Sequence, residues 1–484
     1  MYIKKNILCL LKIYYFCQTF ESEFKNIIHN IQMKVHFIAI AGSAMHNLAI
    51  ALKKKGYEVT GSDDEIFSPA KERLEQYGIL PDTLGWHIER ITSDLDCVIL
   101  GMHAKADNPE LLKAKELGLK IYSYPEFLYQ MSKDKIRIVV GGSHGKTTTT
   151  AMILHAFKFA GIETDYMVGA LLKGFDVMVK MSDEAKFMVL EGDEYLTSPI
   201  DLRPKFHLYM PNIAIITGIE WDHVNVFPTF EKYKEQFSIF ADKISHGGTL
   251  IYCSEDKNVC DVAQSSRSDI EKLPYDVLSH KVEDEVTYVY HNNKEYRLQI
   301  FGDHNLLNMH AAMIACQKAG ISNETFLTSM QSFEGASKRL ETIKKSPEAI
   351  MFKDFAHSPS KLKATISAVK QQYPLRRLIT VMELHTYSSL TQDFLKQYKG
   401  TMDLSDKAVV YYNPHALALK RLPDLDKDDV YKAFGKEGLI VTNDIDELLN
   451  ILTNEHYENT CLLMSSSGNF DGLNLNLLAD KLIK

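Results

Sequence analysis

The sequence predicts an α/β fold in three domains, with a Rossmann-like domain at each end and a central domain built around a P-loop. Three observations predict this. The chain has 484 residues, which is too many for one hydrophobic core. Short apolar segments alternate with amphipathic helical segments, the pattern of parallel sheets covered by helices. The segment VVGGSHGKTTTT, residues 139–150, contains the glycines and the Lys-Thr pair of a phosphate-binding loop.

The composition limits the classes of partner. A net charge of −8 and a pI near 6.1 argue against a general nucleic-acid binder, so we expect no nucleic-acid partner. The seven cysteines are scattered and form no C-x-x-C pair, which favours reduced thiols and a cytoplasmic location over a disulfide framework or a zinc site. The oligomeric state stays open.

The first 32 residues differ from the rest of the chain. Two lysines precede an apolar run that Lys12 interrupts, and no small-x-small cleavage site follows. We interpret residues 1–32 as an upstream extension or a start-site artefact, with an export signal as the alternative, and the chain restarts sharply at Met33. The run is too short and too broken to span a bilayer, so we expect no stable membrane insertion.

The first predicted domain covers residues 33–132. The segments VHFIAIAG and YEVTGSD predict strands, and MHNLAIALKKKG between them predicts a helix. The turn into that helix is an incomplete dinucleotide-binding fingerprint. We expect it to bind a phosphate or diphosphate group of the substrate, and the alternative is a tight turn without a ligand. The candidate residues are Gly42, Ser43, Ala44 and Met45, with Asp63 at a ribose or base edge or, alternatively, acting as a turn aspartate.

The second predicted domain, residues 133–328, contains the phosphate-binding loop between the strand IRIVV and a helix that Gly161 closes. Backbone N–H groups of such a loop bind phosphate oxygens, the lysine reaches the β- and γ-phosphates, and the following threonine reaches Mg²⁺. The alternative is a glycine-rich turn without a ligand. The predicted nucleotide-binding residues here are Gly142, Ser143, His144, Gly145, Lys146, Thr147 and Thr148.

Two later strands of this domain, KFMVL and NIAIITG, end in EGDE and IEWDH. Because the carboxyl ends of parallel strands meet at one edge, we expect Lys146, Glu191 and His223 to lie in one crevice. Glu191 is the predicted Mg²⁺-associated carboxylate, with Asp193 and Glu194 as competitors and a solvated acidic turn as the alternative. His223 is a candidate second metal ligand through a neutral imidazole nitrogen, and the alternative is a structural histidine. The segments from residue 249 to about 300 are predicted to form further strands of the same region.

The third predicted domain, residues 329–484, again alternates strands and helices and ends in MSSSGNFDG followed by a helix. The motifs GGSHGKTTTT, EGDEY, IEWDH, GDHNLLNMHAA, SKRLE and KDFAHSP, in this order, resemble the Mur ligase family. The likeness runs from about Met33 to the end. It implies ATP-dependent amide formation in peptidoglycan synthesis, and Val140 is then an ordinary residue of the family's loop.

The resemblance implies roles for the phosphate and metal groups. Lys146 and Thr147 would hold the triphosphate of ATP with Mg²⁺, and Glu191 and His223 would bind the metal that bridges ATP to the substrate carboxylate. His357, in the DFAHSP loop, would line the active site. The catalytic residues implied are therefore Lys146, Glu191, His223 and His357, and the metal ligands are Thr147, Glu191 and His223.

The resemblance also implies contacts to the rest of the nucleotide. Asn305 and Asn308 would lie near adenine. Arg339 would reach the phosphates and Asp354 the ribose, both from the third domain. Water must be kept from an acyl phosphate, so the family chemistry also implies closure over the crevice.

The expected carboxylate substrate is UDP-N-acetylmuramate, because Gln236 stands where other branches of the family have a modified lysine. The partner amine is predicted from weaker signals. Tyr195, the segment DLRPKF and the SSSGNFDG loop resemble the recycling branch, which adds the tripeptide L-Ala-γ-D-Glu-meso-diaminopimelate. The alternative is L-alanine. The loop of His385, Thr386, Tyr387 and Ser388 either shapes the amine pocket or is only a strand-end loop.

Three other classes are alternatives. A nucleotide-binding regulator or plain ATPase would bind ATP without ligating anything. A dehydrogenase rests only on the first turn, whose fingerprint is poor. A catalytically inactive family member acting as a binding protein is suggested by Ser358, which replaces the second histidine of the usual H-H-P.

Overall fold

The computed structural model describes residues 32–221, 226–336 and 340–484, so the interpretation of residues 1–31, His223 and Arg339 lies outside the described residues. The described chain divides into two compact units. The first runs to Met131 and includes the short segments Val179–Asp183 and Leu196–Arg203. The second contains Ser132–Met178, Glu184–Tyr195 and Pro204–Lys484.

The first unit contains a parallel sheet of four strands in the order β2-β1-β3-β4, with all three pairings parallel. The predicted strand-helix alternation is therefore present. Its elements are β1 (Lys34–Ile38), α1 (Ser43–Lys54), β2 (Glu58–Ser62), α2 (Ala70–Gln76), β3 (Cys97–Leu100), α3 (Pro109–Glu116), β4 (Ile121–Ser123) and α4 (Tyr124–Ser132).

The turn from β1 to α1 is fixed by the end of β2. The backbone N–H groups of Ala39 and Ile40 donate to the carbonyl oxygen of Ser62, and the carboxylate of Asp63 accepts from the Ala41 N–H at 2.8 Å. Ala39 adopts a φ of 65°, a conformation that suits glycine better than alanine. Asp63 and Ser62 thus hold the backbone of Ala39, Ile40 and Ala41, which directly precedes the predicted residues Gly42, Ser43, Ala44 and Met45.

The first sheet of the second unit is parallel and contains the phosphate-binding loop. Its strands from this unit run in the order β13-β12-β11-β5-β8-β6. The elements in this part of the chain are β5 (Ile136–Gly141), α5 (Lys146–Phe159), β6 (Thr164–Met167), β7 (Val179–Lys180), β8 (Phe187–Gly192), β9 (Leu196–Ser198), β10 (Asp201–Pro204), β11 (Ile213–Ile216), α6 (Phe230–Asp242), β12 (Thr249–Cys253), α7 (Lys257–Ser265) and β13 (Glu271–Tyr275).

A small antiparallel sheet follows the parallel one. The segments up to residue 300 form the further strands predicted for this region, and of these β12 and β13 extend the parallel sheet. The next three strands form a separate meander, because turns with positive φ at Asp284, Glu285, Asn292 and Asn293 reverse the chain. The elements are β14 (His280–Glu283), β15 (Val286–His291) and β16 (Lys294–Leu298), followed by α8 (Asp303–Lys318) and α9 (Asn323–Met330).

The C-terminal part of the second unit is built on a six-stranded sheet in the order β17-β18-β22-β19-β20-β21, parallel except for β17 against β18. Two apolar cores pack against it. Its elements are β17 (Glu341–Lys345), β18 (Ala349–Asp354), α10 (Pro359–Gln372), β19 (Arg377–Leu384), α11 (Gln392–Leu395), β20 (Lys407–Tyr412), α12 (Pro414–Leu419), α13 (Lys427–Phe434), β21 (Ile440–Thr442), α14 (Ile445–Thr453), β22 (Thr460–Ser465) and α15 (Leu475–Leu482).

The parallel strand-helix architecture confirms the predicted α/β fold class. None of the described helices has the length and apolar character needed to cross a bilayer. The five cysteines in the described ranges, at positions 97, 253, 260, 316 and 461, are all free thiols.

Candidate nucleotide-binding and ligase site

The loop between β5 and α5 has the backbone shape of a phosphate-binding loop. Gly142 and Gly145 have φ values of 138° and 80°, in the region that favours glycine. A Cβ atom on Gly142 would lie 2.0 Å from the hydroxyl oxygen of Thr217, and one on Gly145 would lie 2.3 Å from Oδ1 of Asn308. Both glycines are therefore required by close neighbours as well as by the dihedral angles.

Thr217, directly after β11, fastens this loop to the adjacent strand. Its hydroxyl donates to the carbonyl oxygens of Gly141 and His144, and the Ser143 N–H donates to the carbonyl oxygen of Gly218 at 2.9 Å. The sequence analysis did not identify Thr217. The available signal was a polar residue immediately after the strand NIAII, where parallel strands present their ligands.

The Lys146 ammonium group is held by a buried carboxylate. Its Nζ atom donates to Oε2 of Glu194 at 2.7 Å and to the Gly142 carbonyl oxygen at 2.5 Å. Burial lowers the pKa of Lys146, but the carboxylates of Glu194 and Asp193 outweigh it, so the pKa lies above its usual value. Lys146 is therefore a fixed cation at the start of α5.

Glu194 also belongs to a hydrogen-bond chain that reaches α6. Its Oε1 accepts from the Tyr233 hydroxyl at 3.2 Å, and that hydroxyl is 2.8 Å from the Ser143 hydroxyl. The Ser143 oxygen accepts from the Glu220 N–H at 2.8 Å. Lys146, Ser143 and the backbone of Glu220 are thus positioned by one connected network.

Thr147 and Glu191 form the pair predicted for Mg²⁺. The Thr147 hydroxyl donates to Oε1 of Glu191 at 2.8 Å, and Oε2 accepts from the Gly169 N–H at 2.8 Å. A hydroxyl and a carboxylate are oxygen ligands of the kind that Mg²⁺ prefers, so these residues fit the ion. Of the competitors, Asp193 pairs instead with Lys205 at 2.5 Å.

The described ranges contain no cluster of three or more His, Cys, Asp or Glu side chains suited to a metal. This is compatible with Mg²⁺, which usually binds one or two carboxylates together with phosphates and water.

A cavity of about 530 Å³ lies over the loop, between α5, α8 and the start of α10. Its volume is within the range of small-molecule sites, about 300–1,000 Å³. It brings together eleven predicted site residues from the central and C-terminal segments of this unit. They are Ser143, His144, Gly145, Lys146, Thr147, Thr148, Glu191, Asn305, Asn308, Asp354 and His357.

Two histidines that line this cavity are held neutral. Burial lowers the pKa of His144 and of His304, so both imidazoles are uncharged at neutral pH. His304 was not predicted as a site residue, although it directly precedes Asn305 in the GDHNLLN motif. Because these two imidazoles are neutral, they add no positive charge to the cavity, and the cations among its described lining residues are Lys146 and Lys361.

Asp354 and His357 enter the cavity from the end of β18. The Asp354 carboxylate accepts from the N–H groups of Leu340 and Phe355, at 3.1 and 2.8 Å, and from the Thr365 hydroxyl at 2.5 Å. Nδ1 of His357 lies 2.8 Å from the carbonyl oxygen of Phe355. Both side chains are therefore oriented by the loop that contains DFAHSP.

The predicted UDP-sugar residues lie in the first unit, around the turn that follows β1. Ser43 and Ala44 are exposed, whereas the Met45 side chain is buried, so the surface of this turn is formed by Gly42, Ser43 and Ala44. α1 has no side-chain cap at Gly42, which leaves N–H groups of its first turn without a side-chain partner. Burial raises the pKa of Asp63 to about 6.

The loop that follows β19, predicted either to shape the amine pocket or to be only a strand-end loop, is anchored by a residue that sequence reasoning missed. Glu383 is buried, and its Oε2 accepts from the Phe470 N–H at 3.0 Å and from the Ser466 hydroxyl. Its Oε1 lies 3.8 Å from Nδ1 of His385. One carboxylate thus ties the HTYSS loop to the SSSGNF loop at the same sheet edge.

Gln236 lies on α6, where its amide donates to the carbonyl oxygen of Lys232 at 2.8 Å. Its side chain therefore folds back onto its own helix. The position provides no lysine that could be modified.

The fold and the loop define a P-loop enzyme with a nucleotide cavity between two α/β segments. Three family models match consecutive parts of the chain: the Mur ligase family catalytic domain over residues 34–136, the middle domain over 140–316 and the glutamate ligase domain over 338–468. The chain belongs to the Mur ligase family, whose members are ATP-dependent ligases that form amide bonds. This confirms the predicted family, the three-domain architecture and the enzyme class.

Several relatives extend over nearly the whole chain. The UDP-N-acetylmuramate–L-alanine ligase of Carboxydothermus hydrogenoformans is 30% identical over 92% of this chain and 96% of its own length. The protein of the same name from Caldicellulosiruptor bescii is 32% identical over 78% of this chain and 83% of its own length. These names agree with the alternative amine, L-alanine, better than with the tripeptide that we predicted first.

Solved structures share the fold. The murein peptide ligase of Psychrobacter arcticus has a TM-score of 0.59, with 23% identity over 93% of this chain and 99% of its own. The UDP-N-acetylmuramate-alanine ligase of Thermotoga maritima has a TM-score of 0.64, with 21% identity over 91% of this chain and 97% of its own. At these identities the likeness establishes the architecture of the chain and leaves its amine substrate undecided.

Proposed function

We propose that this protein joins the carboxylate of UDP-N-acetylmuramate to the amine of L-alanine, at the expense of ATP, in peptidoglycan synthesis. The observation that carries the proposal is the near full-length similarity to relatives with that name. The geometry of the loop, with Lys146 and the Thr147–Glu191 pair facing one cavity, supports the ATP-dependent part. We propose a cytoplasmic location, because the reaction consumes ATP and the described thiols are free.

The proposed chemistry uses the chain's groups to bind and orient. Loop N–H groups and Lys146 bind the phosphates and offset negative charge on the transferring γ-phosphoryl group. Its transfer to the substrate carboxylate gives an acyl phosphate. The free amine attacks the acyl carbon, a tetrahedral intermediate forms, and inorganic phosphate leaves as the amide bond is made. A carboxylate alone would have to expel oxide, which is a poor leaving group.

We propose that Thr147 and Glu191 hold Mg²⁺, together with His223. The ion supplies charge neutralisation at the phosphates when it is bound. Arg339 and the Asn305–Asn308 pair are proposed to contact the nucleotide's phosphates and base, Asp354 its ribose, and Gly42, Ser43, Ala44, Met45 and Asp63 the UDP-sugar. The domain limits at residues 132 and 328 stay a prediction.

A second candidate amine is the tripeptide L-Ala-γ-D-Glu-meso-diaminopimelate. The specific observation is the segment from Tyr195 through DLRPKF, which forms β9 and β10, together with the SSSGNF loop. Buried Glu383 holds that loop beside His385. Both features resemble the recycling branch of the family.

One assay separates these candidates. Purified protein with ATP, Mg²⁺ and UDP-N-acetylmuramate would be offered L-alanine or the tripeptide, and phosphate release and product mass would be followed. L-Alanine adduct is the expected product. Adduct with the tripeptide alone would replace the first candidate by the second, and ATP hydrolysis without any amine-dependent product would favour the non-ligating regulator.

Lys146→Ala is expected to reduce kcat/KM by at least about a thousandfold, because a charge on the transferring phosphoryl group then lacks its main protein counter-charge. The measurement is product formation at saturating amine. Lys158→Ala, at the other end of α5, is the matched control and should retain most activity. Equal activity of both variants would contradict the role of the loop.

A further inference from the structure

The C-terminal end of α10 is held by the hairpin between β14 and β15. Gln372, the last residue of this helix, accepts a hydrogen bond from the Thr287 hydroxyl at 2.8 Å and donates one to the Glu285 carbonyl oxygen at 2.6 Å. Nε of Arg376, just after the helix, donates to Oε1 of Glu285 at 2.5 Å. Three of these four side chains are buried, and Glu285 is half-buried. We call the four residues Glu285, Thr287, Gln372 and Arg376 the α10 clasp.

The clasp contains an ion pair that is largely withdrawn from water. The side chain of Arg376 is 10% exposed and that of Glu285 32%. Within the described ranges, Glu285 is the carboxylate that pairs with Arg376. Burial raises the pKa of Glu285, but Arg376 outweighs this effect, so the pKa lies below its usual value and both groups are charged at neutral pH. A buried guanidinium that loses its counter-charge is costly, so the pair holds the hairpin against α10.

Apolar contacts beside the clasp fix the same end of α10. The ring of Phe301, which follows β16, packs edge-on against Tyr373 and Phe352, with ring centroids 5.7 and 5.8 Å apart. Phe301 is thereby part of an apolar core of the C-terminal sheet. A Cβ atom on Gly302 would overlap the Cβ atom of Ala368, so α10 also lies directly against the start of α8. The second half of α10 is therefore held by both the meander and α8.

The other end of α10 forms part of the nucleotide cavity. Four residues from the first half of the helix line that cavity: Ser360, Lys361, Ala364 and Thr365. The helix has 14 residues and is therefore about 20 Å long at 1.5 Å per residue. Because its backbone hydrogen bonds make it a stiff element, a shift at one end moves the other. The place of this cavity wall relative to the phosphate-binding loop thus depends on where the clasp holds the helix.

We propose that Glu285 and Arg376 are positioning residues, which hold α10 where its first turns complete the nucleotide cavity. Neither residue lines that cavity, so both act through the helix. Without the pair, the loop still binds phosphate groups, but the wall formed by α10 is in place in only a fraction of the molecules. The apparent affinity for ATP falls by that fraction. The effect on turnover rests on the proposed ligase function, whereas the effect on ATP binding can be measured without any amine.

The test measures two affinities by calorimetry, one for a non-hydrolysable ATP analogue and one for UDP-N-acetylmuramate. Glu285→Gln and Arg376→Gln should each raise Kd for the ATP analogue by about three- to tenfold, the effect of one partly buried ion pair. Kd for UDP-N-acetylmuramate, which is proposed to bind in the first unit, should not change. In the ligase assay, kcat/KM for ATP should fall by the same factor.

Two further variants test whether the pair acts as a unit. The double variant Glu285→Gln/Arg376→Gln should bind the ATP analogue no more weakly than the weaker single variant, because either substitution alone already removes the ion pair. Arg376→Lys keeps the positive charge and should give a Kd between those of the wild type and Arg376→Gln. This partial rescue distinguishes loss of the charge pair from loss of packing around the side chain.

Arg377→Gln is the matched control. Arg377 is the next residue in the chain and pairs with Glu455 at 2.9 Å, but that pair lies within the C-terminal segment and includes no residue of the meander. Its loss should lower thermal stability without changing Kd for the ATP analogue. A Kd within twofold of the wild type in both single clasp variants, or an equal rise in Arg377→Gln, would overturn the positioning role of the clasp.

The ligase function has a separate readout. Wild-type protein that binds the ATP analogue but forms no amine-dependent product with L-alanine or with the tripeptide would overturn the ligase function. The comparison of Kd values between the clasp variants and Arg377→Gln would still decide whether the clasp positions α10.

Discussion

Lys146 illustrates how one residue is fixed before any ligand arrives. The side chain of Glu194 is only 1% exposed and that of Lys146 15%, so the ion pair between them is largely withdrawn from water. A buried carboxylate is stable only when it is paired or hydrogen-bonded, and Glu194 has both Lys146 and Tyr233 as partners. The loop lysine is therefore prepositioned, at the cost of competing with the phosphates for the same cation.

Glu194→Gln should lower the free energy of unfolding by about 3 kcal/mol, because it leaves the Lys146 ammonium group without its main buried counter-charge. The measurement is urea-induced unfolding followed by fluorescence. Tyr233→Phe removes the hydroxyl that hydrogen-bonds Glu194 and Ser143 but leaves the ion pair in place, so it should cost less, about 1.5 kcal/mol. Equal destabilisation by the two variants would show that the ion pair does not contribute as proposed.

The loop between β5 and α5 is the element in which backbone shape and function coincide. Its glycines are needed both for positive φ and for the approach of Thr217 and Asn308. Sequence reasoning found the loop from its glycine spacing and its Lys-Thr pair. It did not assign Thr217 to the loop. The position of Thr217 directly after a strand was visible in the sequence, but its contact with the loop depends on the pairing of β11 with β5, which brings together residues far apart in the chain.

Gly142→Ala should abolish ATP binding and lower the free energy of unfolding by at least about 2 kcal/mol, since the new methyl group would lie 2.0 Å from the Thr217 hydroxyl oxygen. Binding is measured by calorimetry and stability by urea-induced unfolding. Gly161→Ala is the control, because Gly161 also has positive φ, at 70°, but no neighbour within 4 Å.

Gly161→Ala should cost about 1 kcal/mol and leave ATP binding unchanged. Normal ATP binding by Gly142→Ala would contradict the close packing of the loop against β11.

The strands after β13 show how turns decide the kind of sheet. Their apolar patterns predicted strands of this region, and strands are present. Whether a strand extends a parallel sheet or forms a hairpin depends on the turn before it, and the pairs Asp284–Glu285 and Asn292–Asn293 with positive φ make hairpins.

At the scale of the whole molecule, the nucleotide cavity depends on segments from both the central and the C-terminal parts of the second unit. Asp354 and His357 line it together with Lys146 and Asn308. Lys146 and His357 are about 200 residues apart along the chain. The first unit contains none of the lining residues. ATP should therefore stabilise the second unit and not the first.

Saturation with a non-hydrolysable ATP analogue at about 100 times its Kd should stabilise the second unit by about 2.7 kcal/mol. Hydrogen exchange followed by mass spectrometry should then show protection at residues 142–148 and 354–365 and none in β1 to β4. Asp354→Ala, which removes one wall group of the cavity, should reduce the protection. Equal protection of both units would contradict a nucleotide site confined to the second.

The fold class, the family and the phosphate-binding loop could be predicted from the sequence. They depend on local patterns: the alternation of apolar strands with amphipathic helices, glycine spacing and the order of short motifs. Glu191, near the end of β8, hydrogen-bonds Thr147, at the start of α5, because both lie at the carboxyl edge of one parallel sheet. The identity of the amine was predicted less well. That prediction depended on a few loop residues, and no rule of local structure relates such residues to the amine that binds.

Which polar groups meet depends on the tertiary structure. Glu194 pairs with Lys146, Glu383 joins two loops, and Lys361, Lys363 and Lys399 line one cavity, because strands and helices distant in sequence pack side by side. Charge pairing acts over a few ångströms, and the sequence gives no distance between residues from different elements. The phosphate-binding loop could therefore be predicted from the sequence, whereas its hydrogen-bond and ion-pair partners could be identified only in the folded structure.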